Sequence, residues 1–294
     1  NNNKGTAIVG AVLGDSISFG TPVMYNNYST SHISSVYDST ANKVVIAYSD
    51  RNATGSAIVG AVSGDKITLG TPAVFESGDI KYNSAVYDSV ANKVVICYQV
   101  GLGPGLAKVG TVDSSNNSIA FFGGGTFNSG STPWITCTYD PVNNKVVIAY
   151  QDGGNSKYGT AILGTLSGDT ITFGSPTVFN NNGETRNISS TYDDSTKKVV
   201  IAYRDASNSD YGNTIAATLS GDSISFDASK VFSSGSTSYI TSTYDSVANK
   251  VVIAYQDVGN SSYGTAVTYS AGGVSTNLTD SNYIGVSTGD YADG

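Results

Sequence analysis

The sequence predicts an all-β protein built from five copies of one four-stranded antiparallel unit. The first observation behind this prediction is a repeat: the stretch NKVVIAY at Asn42–Tyr48 recurs with at most one change, starting at Asn92, Asn144, Lys197 and Asn249. The second is composition, because 34 Gly and 20 Tyr with only 13% charged residues indicate strands and turns rather than helices. The third is the alternation of strand-like segments with tight-turn sequences inside each copy.

Each copy contains four segments with strand character. In the first full copy these are Ile33–Tyr37, Lys43–Tyr48, Gly55–Val62 and Lys66–Phe75. The turn sequences DSTAN and SGD separate the first segment from the second and the third from the fourth. The continuous apolar run Val-Val-Ile in the second segment predicts a strand that is buried on both faces.

Four short antiparallel strands repeated at about 50 residues are typical of a β-propeller blade. The first, second and fourth segments each occur five times, which predicts a five-bladed β-propeller. The chain begins with a third and a fourth segment (Gly5–Val12 and Ser16–Tyr25) and ends with a first and a second (Tyr239–Tyr244 and Lys250–Tyr255). We therefore expect both termini to close the last blade; an open section of a longer array is the alternative.

The third segment occurs six times, so Gly5–Val12 and Gly264–Ser270 compete for one position. Gly5–Val12 keeps the consensus, and we expect it to hold the position while Gly264–Ser270 leaves the ring toward a neighbouring protomer. The predicted domains are a propeller over residues 1–270 and a polar tail over residues 271–294. The tail is expected to be a linker to a missing domain or to contact a neighbouring protomer.

Composition and motifs exclude several classes of function. A net charge of -8 argues against nucleic-acid partners, and no apolar run reaches the ~20 residues needed for membrane insertion. No Cys/His spacing indicates zinc, and the single histidine has no evident nucleophilic partner, so we predict no catalytic residues, metal or cofactor. Cys97 and Cys137 occupy small-residue positions and are expected to be buried free thiols, with a disulfide between adjacent blades as the alternative.

The candidate ligand site lies where the repeats disagree. Loops that join the second strand to the third, and the fourth to the next first strand, emerge on one face and vary, whereas the turns on the other face barely change. The first strand of each copy is its inner strand. One aligned position just before each inner strand carries an aromatic, histidine or amide side chain: His32, Tyr82, Trp134, Asn187 and Tyr239. Lys81 and Arg186 precede two of them. Such side chains around a channel mouth can stack on sugar rings and hydrogen-bond hydroxyl groups, so we predict ligand binding there, with simple loop drift as the alternative.

Two series of aspartates recur through the copies. One follows each inner strand, at Asp38, Asp88, Asp140, Asp193 and Asp245, and is interpreted as hydrogen-bonding the turn backbone. The other follows the second strand at Asp50, Asp152, Asp205 and Asp257, where hairpin-end turns are favoured over a Ca²⁺ or ligand site. Near-identical acids in every copy lack the inequality that acid/base catalysis requires.

The repeat wording resembles a known group of proteins. YDSVANKVVIAYQD at Tyr244–Asp257, GTAIVG at Gly5–Gly10, SGDSISF at Ser220–Phe226 and the tail NLTDSNYIGVSTGDYADG at Asn277–Gly294 resemble repeat proteins of marine phages and aquatic bacteria. There, such propellers look like parts of tail fibres or secreted surface proteins. The wording is more distantly similar to sialidase-type and lectin propellers, although the sialidase Asp-box is absent.

The resemblance implies an extracellular or virion surface location. The prediction is accordingly a non-enzymatic surface module that binds glycans or a cell-surface receptor, of adhesin or tail-fibre type. Two alternatives remain: a glycoside hydrolase on the same fold, using acids such as Asp205 and Asp257, and a structural subunit of a fibre or filament.

Overall fold

The computed structural model describes residues 3–270 and 273–275, and every regular element among them is a β-strand. The strands group into an N-terminal pair and five repeated units, which confirms the all-β prediction. No helix in this described part is long and apolar enough to cross a membrane.

The strand bounds are as follows. The N-terminal pair is a pair of two-stranded sheets, one formed by β1 (Lys4–Ala7) and β4 (Val23–Ser29) and the other by β2 (Gly10–Leu13) and β3 (Ser16–Phe19). Unit 1 contains β5 (Ser31–Asp38), β6 (Lys43–Ser49), β7 (Thr54–Ser63), β8 (Lys66–Leu69) and the first half of β9 (Ala73–Asp88). Unit 2 contains the second half of β9, β10 (Lys93–Val100), β11 (Gly105–Asp113) and β12 (Ser118–Asn128). Unit 3 contains β13 (Thr136–Asp140), β14 (Lys145–Asp152), β15 (Tyr158–Ser167), β16 (Thr170–Phe173) and β17 (Thr177–Asn180). Unit 4 contains β18 (Thr185–Asp193), β19 (Lys198–Asp205), β20 (Tyr211–Ser220), β21 (Ser223–Phe226) and the first half of β22 (Lys230–Asp245). Unit 5 contains the second half of β22, β23 (Lys250–Asp257), β24 (Tyr263–Ser270) and β25 (Gly273–Ser275).

The repeated Val-Val-Ile run forms the second strand of every unit and packs on both faces in units 1 to 4, whereas in unit 5 Val252 and Ala254 are only half-buried. In β14, Val146 and Ile148 contact the cluster shared with unit 2, whereas Val147 and Ala149 contact the cluster shared with unit 4. All four side chains are fully buried. The absence of polar alternation in this strand therefore reflects neighbours on both sides, as predicted.

One aromatic contact recurs between consecutive units. The aromatic residue near the end of each outer strand packs against the tyrosine of the next second strand, with ring centroids 5.1 to 5.4 Å apart: Tyr25–Tyr48, Phe75–Tyr98, Phe127–Tyr150, Phe179–Tyr203 and Phe232–Tyr255. Because Tyr25 belongs to β4, the N-terminal pair packs on unit 1 as the outer half of another unit would.

The prediction that Gly5–Val12 supplies the third strand of the last unit, and that Gly264–Ser270 leaves it, is wrong. β24 pairs with β23 in register from Val251↔Tyr269 to Asp257↔Tyr263, so the C-terminal copy fills the position assigned to Gly5–Val12. The connection from Asp257 to Tyr263 is a short hairpin, which closes at a smaller entropic cost than pairing with a segment more than 200 residues away. The N-terminal copy instead forms β1 and β2, which pair with β4 and β3. Except for residues 273–275, the predicted tail lies outside the described residues.

This arrangement leaves an apolar surface beside the N-terminal pair. A cavity of about 390 Å³ lies between it and unit 1, lined by side chains that include Ile8, Ile33 and Ile46. Ile8 and Ile33 are 46% and 56% exposed, whereas the equivalent residues Ile58 and Ile135 are 2% and 7% exposed. The first and second strands of a unit occupy the corresponding space at the other junctions.

Inner strands of consecutive units lie side by side and are joined by hydroxyl groups. A serine or threonine hydroxyl of one inner strand accepts a hydrogen bond from a backbone N–H of the next, at 2.9 to 3.2 Å: Ser34–Ala85, Ser84–Cys137, Thr136–Ser190 and Ser189–Ser242. The five inner strands therefore follow one another in chain order, and their first residues meet at one end of the sheets.

Candidate functional site

All five predicted rim residues have left-handed backbone conformation. Their φ angles lie between 46° and 58°, at His32, Tyr82, Trp134, Asn187 and Tyr239. The strand register shifts beside this position in units 1, 2, 4 and 5, which is a β-bulge that redirects the side chain. Left-handed conformation disfavours residues other than Gly by roughly 1–2 kcal/mol. Its retention with four different residue types indicates that the backbone shape is a feature of the repeat.

Three of the rim residues form a continuous row. The ring centroids of His32 and Tyr82 lie 5.6 Å apart, and those of Tyr82 and Trp134 lie 5.1 Å apart. Nδ1 of His32 accepts a hydrogen bond from the N–H of Tyr82 at 3.3 Å, and the carbonyl of His32 accepts one from Nδ2 of Asn83. Burial, reinforced by the charge of Lys81, lowers the pKa of His32, so a neutral imidazole acceptor is favoured. The predicted residues of units 1 to 3 therefore converge on one surface.

The other two rim residues do not extend this row. Tyr239 is 77% exposed and forms no aromatic pair with any residue that the structure describes. Asn187 is half-buried and belongs to unit 4, between the units that carry Trp134 and Tyr239. The aromatic surface is therefore an arc over units 1 to 3 rather than a complete ring.

The two predicted cations are both neutralised by nearby acids. Nζ of Lys81 lies 3.4 Å from Asp79, and the guanidinium of Arg186 lies 2.8 Å from Glu184. The hydrogen bond from Arg186 lowers the pKa of Glu184, with further contributions from the charges of Arg186 and Lys157. These pairs give the rim mixed polarity without a strong excess of one charge.

Sequence reasoning missed Arg204, which also reaches the rim. Its Nε donates to Asp210 at 2.7 Å, its NH2 lies 2.6 Å from the second oxygen, and its NH1 donates to Oγ of Ser238 at 3.5 Å. The sequence signal that could have indicated it is that Arg204 stands where units 2, 3 and 5 have glutamine.

The aspartates after the inner strands have the structural role that was predicted. One carboxylate oxygen of each accepts two backbone N–H bonds in the following turn, as Asp88 does from Val90 at 2.9 Å and Ala91 at 2.8 Å. Equivalent bonds form at Asp38, Asp140, Asp193 and Asp245.

The second aspartate series also accepts hydrogen bonds from its own turns. Asp50, Asp152, Asp205 and Asp257 each accept at least one backbone N–H from the hairpin that follows. Within the described ranges, no group of three or more potential ligands is placed to hold a metal ion.

Cys97 and Cys137 are buried free thiols, as expected. Both belong to the apolar cluster between units 2 and 3, and Sγ of Cys137 donates to the carbonyl of Ser84 at 3.3 Å. Burial, followed by interaction with Cys137, raises the pKa of the Cys97 thiol well above its usual range.

Comparison with known proteins identifies the class of fold. No protein-family model and no curated protein sequence matches the chain. Among solved structures, a triple arginine mutant of AofleA from Arthrobotrys oligospora aligns with a TM-score of 0.59 and 10% identity, covering 93% of this chain and 85% of that one. A mutant of the Aleuria aurantia lectin AAL in complex with Fucα1-6GlcNAc aligns with a TM-score of 0.51 and 12% identity, over 92% and 77% of the two chains.

A third similar structure is an engineered GH43 glycoside hydrolase with endo-xylanase and exo-arabinofuranosidase activity. Its TM-score is 0.51 at 11% identity, and the alignment covers 84% of this chain but only 52% of the hydrolase, so this chain spans about half that length. At such identities the likeness shows fold alone. The chain has a propeller-like all-β fold of antiparallel sheets.

Proposed function

We propose that this chain is a non-enzymatic carbohydrate-binding module that takes glycans on the arc formed by His32, Tyr82 and Trp134. The observation that carries the proposal is the repeated left-handed backbone conformation at one position, where the ring centroids of His32 and Tyr82 lie 5.6 Å apart and those of Tyr82 and Trp134 lie 5.1 Å apart. Unfavourable backbone conformations retained at one exposed rim favour a functional role over loop drift.

The chemistry of the arc suits sugars. Aromatic rings offer flat apolar faces for the C–H face of a pyranose, while the phenol of Tyr82 and the indole N–H of Trp134 offer hydrogen bonds to hydroxyl groups. Asn187, Tyr239, Lys81 and Arg186 would supply further polar contacts around the same rim. The complex of the similar Aleuria aurantia lectin with Fucα1-6GlcNAc makes a glycan the first ligand class to test.

The acids of the chain favour a binder over the glycoside hydrolase alternative. Glycoside hydrolysis needs two unequal carboxyl groups about 5 to 10 Å apart in one pocket. Asp50, Asp152, Asp205 and Asp257 each accept bonds from the amides of their own turn, which is a structural use of the carboxylate.

We further propose that the five units are the blades of a five-bladed propeller around one channel. The chain of hydroxyl-to-amide bonds between consecutive inner strands supports a common axis. The module would act on a cell or virion surface, in an adhesin or a tail fibre, with a neighbouring protomer or flanking domain contacted through residues 271–294. A structural role in a fibre would use the same blades without a glycan.

A glycan array tests the proposal. Tyr82→Asn and Trp134→Asn each remove a ring while supplying a residue that already holds this backbone conformation in unit 4. Each variant should lose at least tenfold in binding signal, whereas Tyr37→Asn, which removes an exposed ring at the opposite end of an inner strand, should not. Unchanged binding by a folded Tyr82→Asn, Trp134→Asn double variant would contradict the proposal, and a wild type that binds no glycan would favour the fibre-subunit alternative.

A further inference from the structure

Unit 2 departs from the repeat at Lys108. The position that pairs with the Ile of each Val-Val-Ile run is apolar and nearly fully buried in the other four units, as Ile58, Ile162, Ile215 and Val267. Lys108 pairs with Ile96 in the same register and is only half-buried, and it forms no ion pair with any residue in the described ranges. Unit 2 therefore carries a cation at a position where the other four units have an aliphatic side chain.

A second departure faces the same junction. Glu76 follows the aromatic residue of the outer strand in unit 1, where the other copies have the neutral residues Asn26, Asn128, Asn180 and Ser233. One of its carboxylate oxygens accepts the N–H of Gly78 at 3.0 Å, and the other accepts the hydroxyl of Tyr98 from unit 2 at 3.2 Å. The carboxylate is therefore held in place across the junction between units 1 and 2.

A third departure opens the space between them. Units 1 and 3 and the N-terminal pair interrupt the outer strand with Gly-Thr-Pro or Gly-Ser-Pro, but unit 2 has Gly123–Gly125, and β12 continues without a break. Gly124 lies opposite Lys108, and a Cβ there would come within 2.4 Å of the Ala107 carbonyl and 3.3 Å of Cδ of Lys108. Glycine is required for this close approach, which leaves the face of the strand bare.

These three departures line one cavity. It has a volume of about 350 Å³, and its walls include Glu76, Tyr98, Lys108, Phe122 and Gly124. In a repeat protein, a single deviation is readily explained by drift, but three deviations from two units that meet in one cavity indicate a site. We propose that this groove between units 1 and 2 is a second binding site, for an acidic monosaccharide of the hexuronic acid class.

The ligand class follows from the groups that line the groove. The ammonium of Lys108 matches a carboxylate, and the fixed carboxylate of Glu76 accepts hydrogen bonds from sugar hydroxyls. Phe122, 47% exposed, offers an apolar surface to the ring carbons. The volume lies near the lower end of the ~300–1,000 Å³ range of ligand pockets and suits one sugar residue. The site uses none of the rim residues, so it extends the proposed carbohydrate binding without depending on the arc.

Titration calorimetry and saturation-transfer NMR with sodium glucuronate, and with glucose as the neutral analogue, test the inference. The wild-type chain should bind glucuronate at least tenfold more tightly than glucose. Lys108→Ile and Glu76→Asn each restore the residue type of other units and should each weaken glucuronate binding at least tenfold. Lys66→Ala, which removes an exposed lysine from β8, is the matched charge control and should bind as the wild type does.

The outcomes separate this site from the rim. Loss of glucuronate binding in Lys108→Ile but not in the Tyr82→Asn, Trp134→Asn double variant would support the groove, even if the rim binds nothing. Glucuronate binding that is unchanged in Lys108→Ile, or no binding by the wild type, would overturn the proposal. Should Lys108→Ile fail to fold, Lys108→Met keeps the length of the side chain without its charge and gives the same readout.

Discussion

The hydroxyl of Tyr192 has no hydrogen-bond partner among the described residues because Lys197 stands where the other units have asparagine. In those units the tyrosine at the end of the inner strand bonds to Oδ1 of the asparagine five residues later, at 2.7 to 3.0 Å, at Tyr37–Asn42, Tyr87–Asn92, Tyr139–Asn144 and Tyr244–Asn249. Each asparagine, like Lys197, has a positive φ angle. The repeated asparagine thus combines a turn conformation with a bond to tyrosine.

Lys197→Asn should stabilise the protein. The substitution supplies the missing acceptor and places a residue that tolerates the left-handed region better, while losing only an exposed ion pair to Asp194. We expect the free energy of unfolding to rise by about 1 kcal/mol, measured by urea denaturation.

A double-mutant cycle identifies the source of that gain. In a Tyr192→Phe background the acceptor has no donor, so Lys197→Asn should gain less than it does in the wild type. Equal gains in both backgrounds would show that the turn conformation alone is responsible. Asn249→Lys in unit 5 is the reciprocal change and should be destabilising.

The rim predicts a contrast between two aromatic residues. Tyr239 is 77% exposed, so Tyr239→Gly removes little packing, relieves a φ of 51°, and should leave the melting temperature unchanged or slightly raised. Trp134 packs against the apolar cluster between units 3 and 4, so Trp134→Gly should destabilise by roughly 3 kcal/mol. A large loss of stability in Tyr239→Gly would contradict the idea that this tyrosine is retained for contact rather than for folding.

Deleting residues 1–25 should affect unit 1 and leave unit 5 intact. The deletion abolishes the ring contact between Tyr25 and Tyr48 and exposes Ile58 of the same apolar cluster, whereas β23 keeps its partner β24. Hydrogen exchange should therefore accelerate in β6 and β7 and remain unchanged in β23. Faster exchange in β23 would instead indicate that the N-terminal copy completes the last unit in solution.

Buried tyrosines predict a loss of stability at alkaline pH. Burial is the main cause that raises the pKa of Tyr203 to about 12, and burial together with Asp50 raises that of Tyr48 to about 12. Tyrosine in the unfolded chain ionises near pH ~10, so the folded state binds the phenol proton more tightly than the unfolded state does. The resulting contribution to the free energy of unfolding is fully present below that pH. The contribution is lost as pH rises from about 10 toward the folded pKa.

Urea unfolding midpoints at pH 7, 9 and about 11 measure this loss, with ultraviolet absorbance reporting phenolate formation. Tyr203→Phe should make the alkaline decline shallower because one proton-linked group is removed. A midpoint that does not fall between pH 9 and 11 in the wild type would contradict the assignment.

Local patterns determined much of the architecture. The Val-Val-Ile run specifies a doubly buried strand through its unbroken apolar side chains, and the aspartate after each inner strand specifies a turn because its carboxylate reaches two backbone amides. Alignment of the copies also located His32, Tyr82 and Trp134 at one rim. The left-handed backbone at Tyr82 and Trp134 was not predictable, because bulky aromatic residues ordinarily avoid that conformation.

The sequence by itself determined the repeated unit, its four strands and the likeness of each copy to the next, because these depend on contacts between residues close along the chain. Only the tertiary structure decided which of the two competing third segments, Gly5–Val12 or Gly264–Ser270, pairs with β23. Gly5–Val12 is closer to the consensus, but the outcome rests on loop closure and on the packing of Tyr25 against Tyr48, which the sequence of the segment does not show. That Glu76 and Lys108 line one cavity was likewise decided by the tertiary structure, because residues of two different units come to the same cavity only when the units pack together.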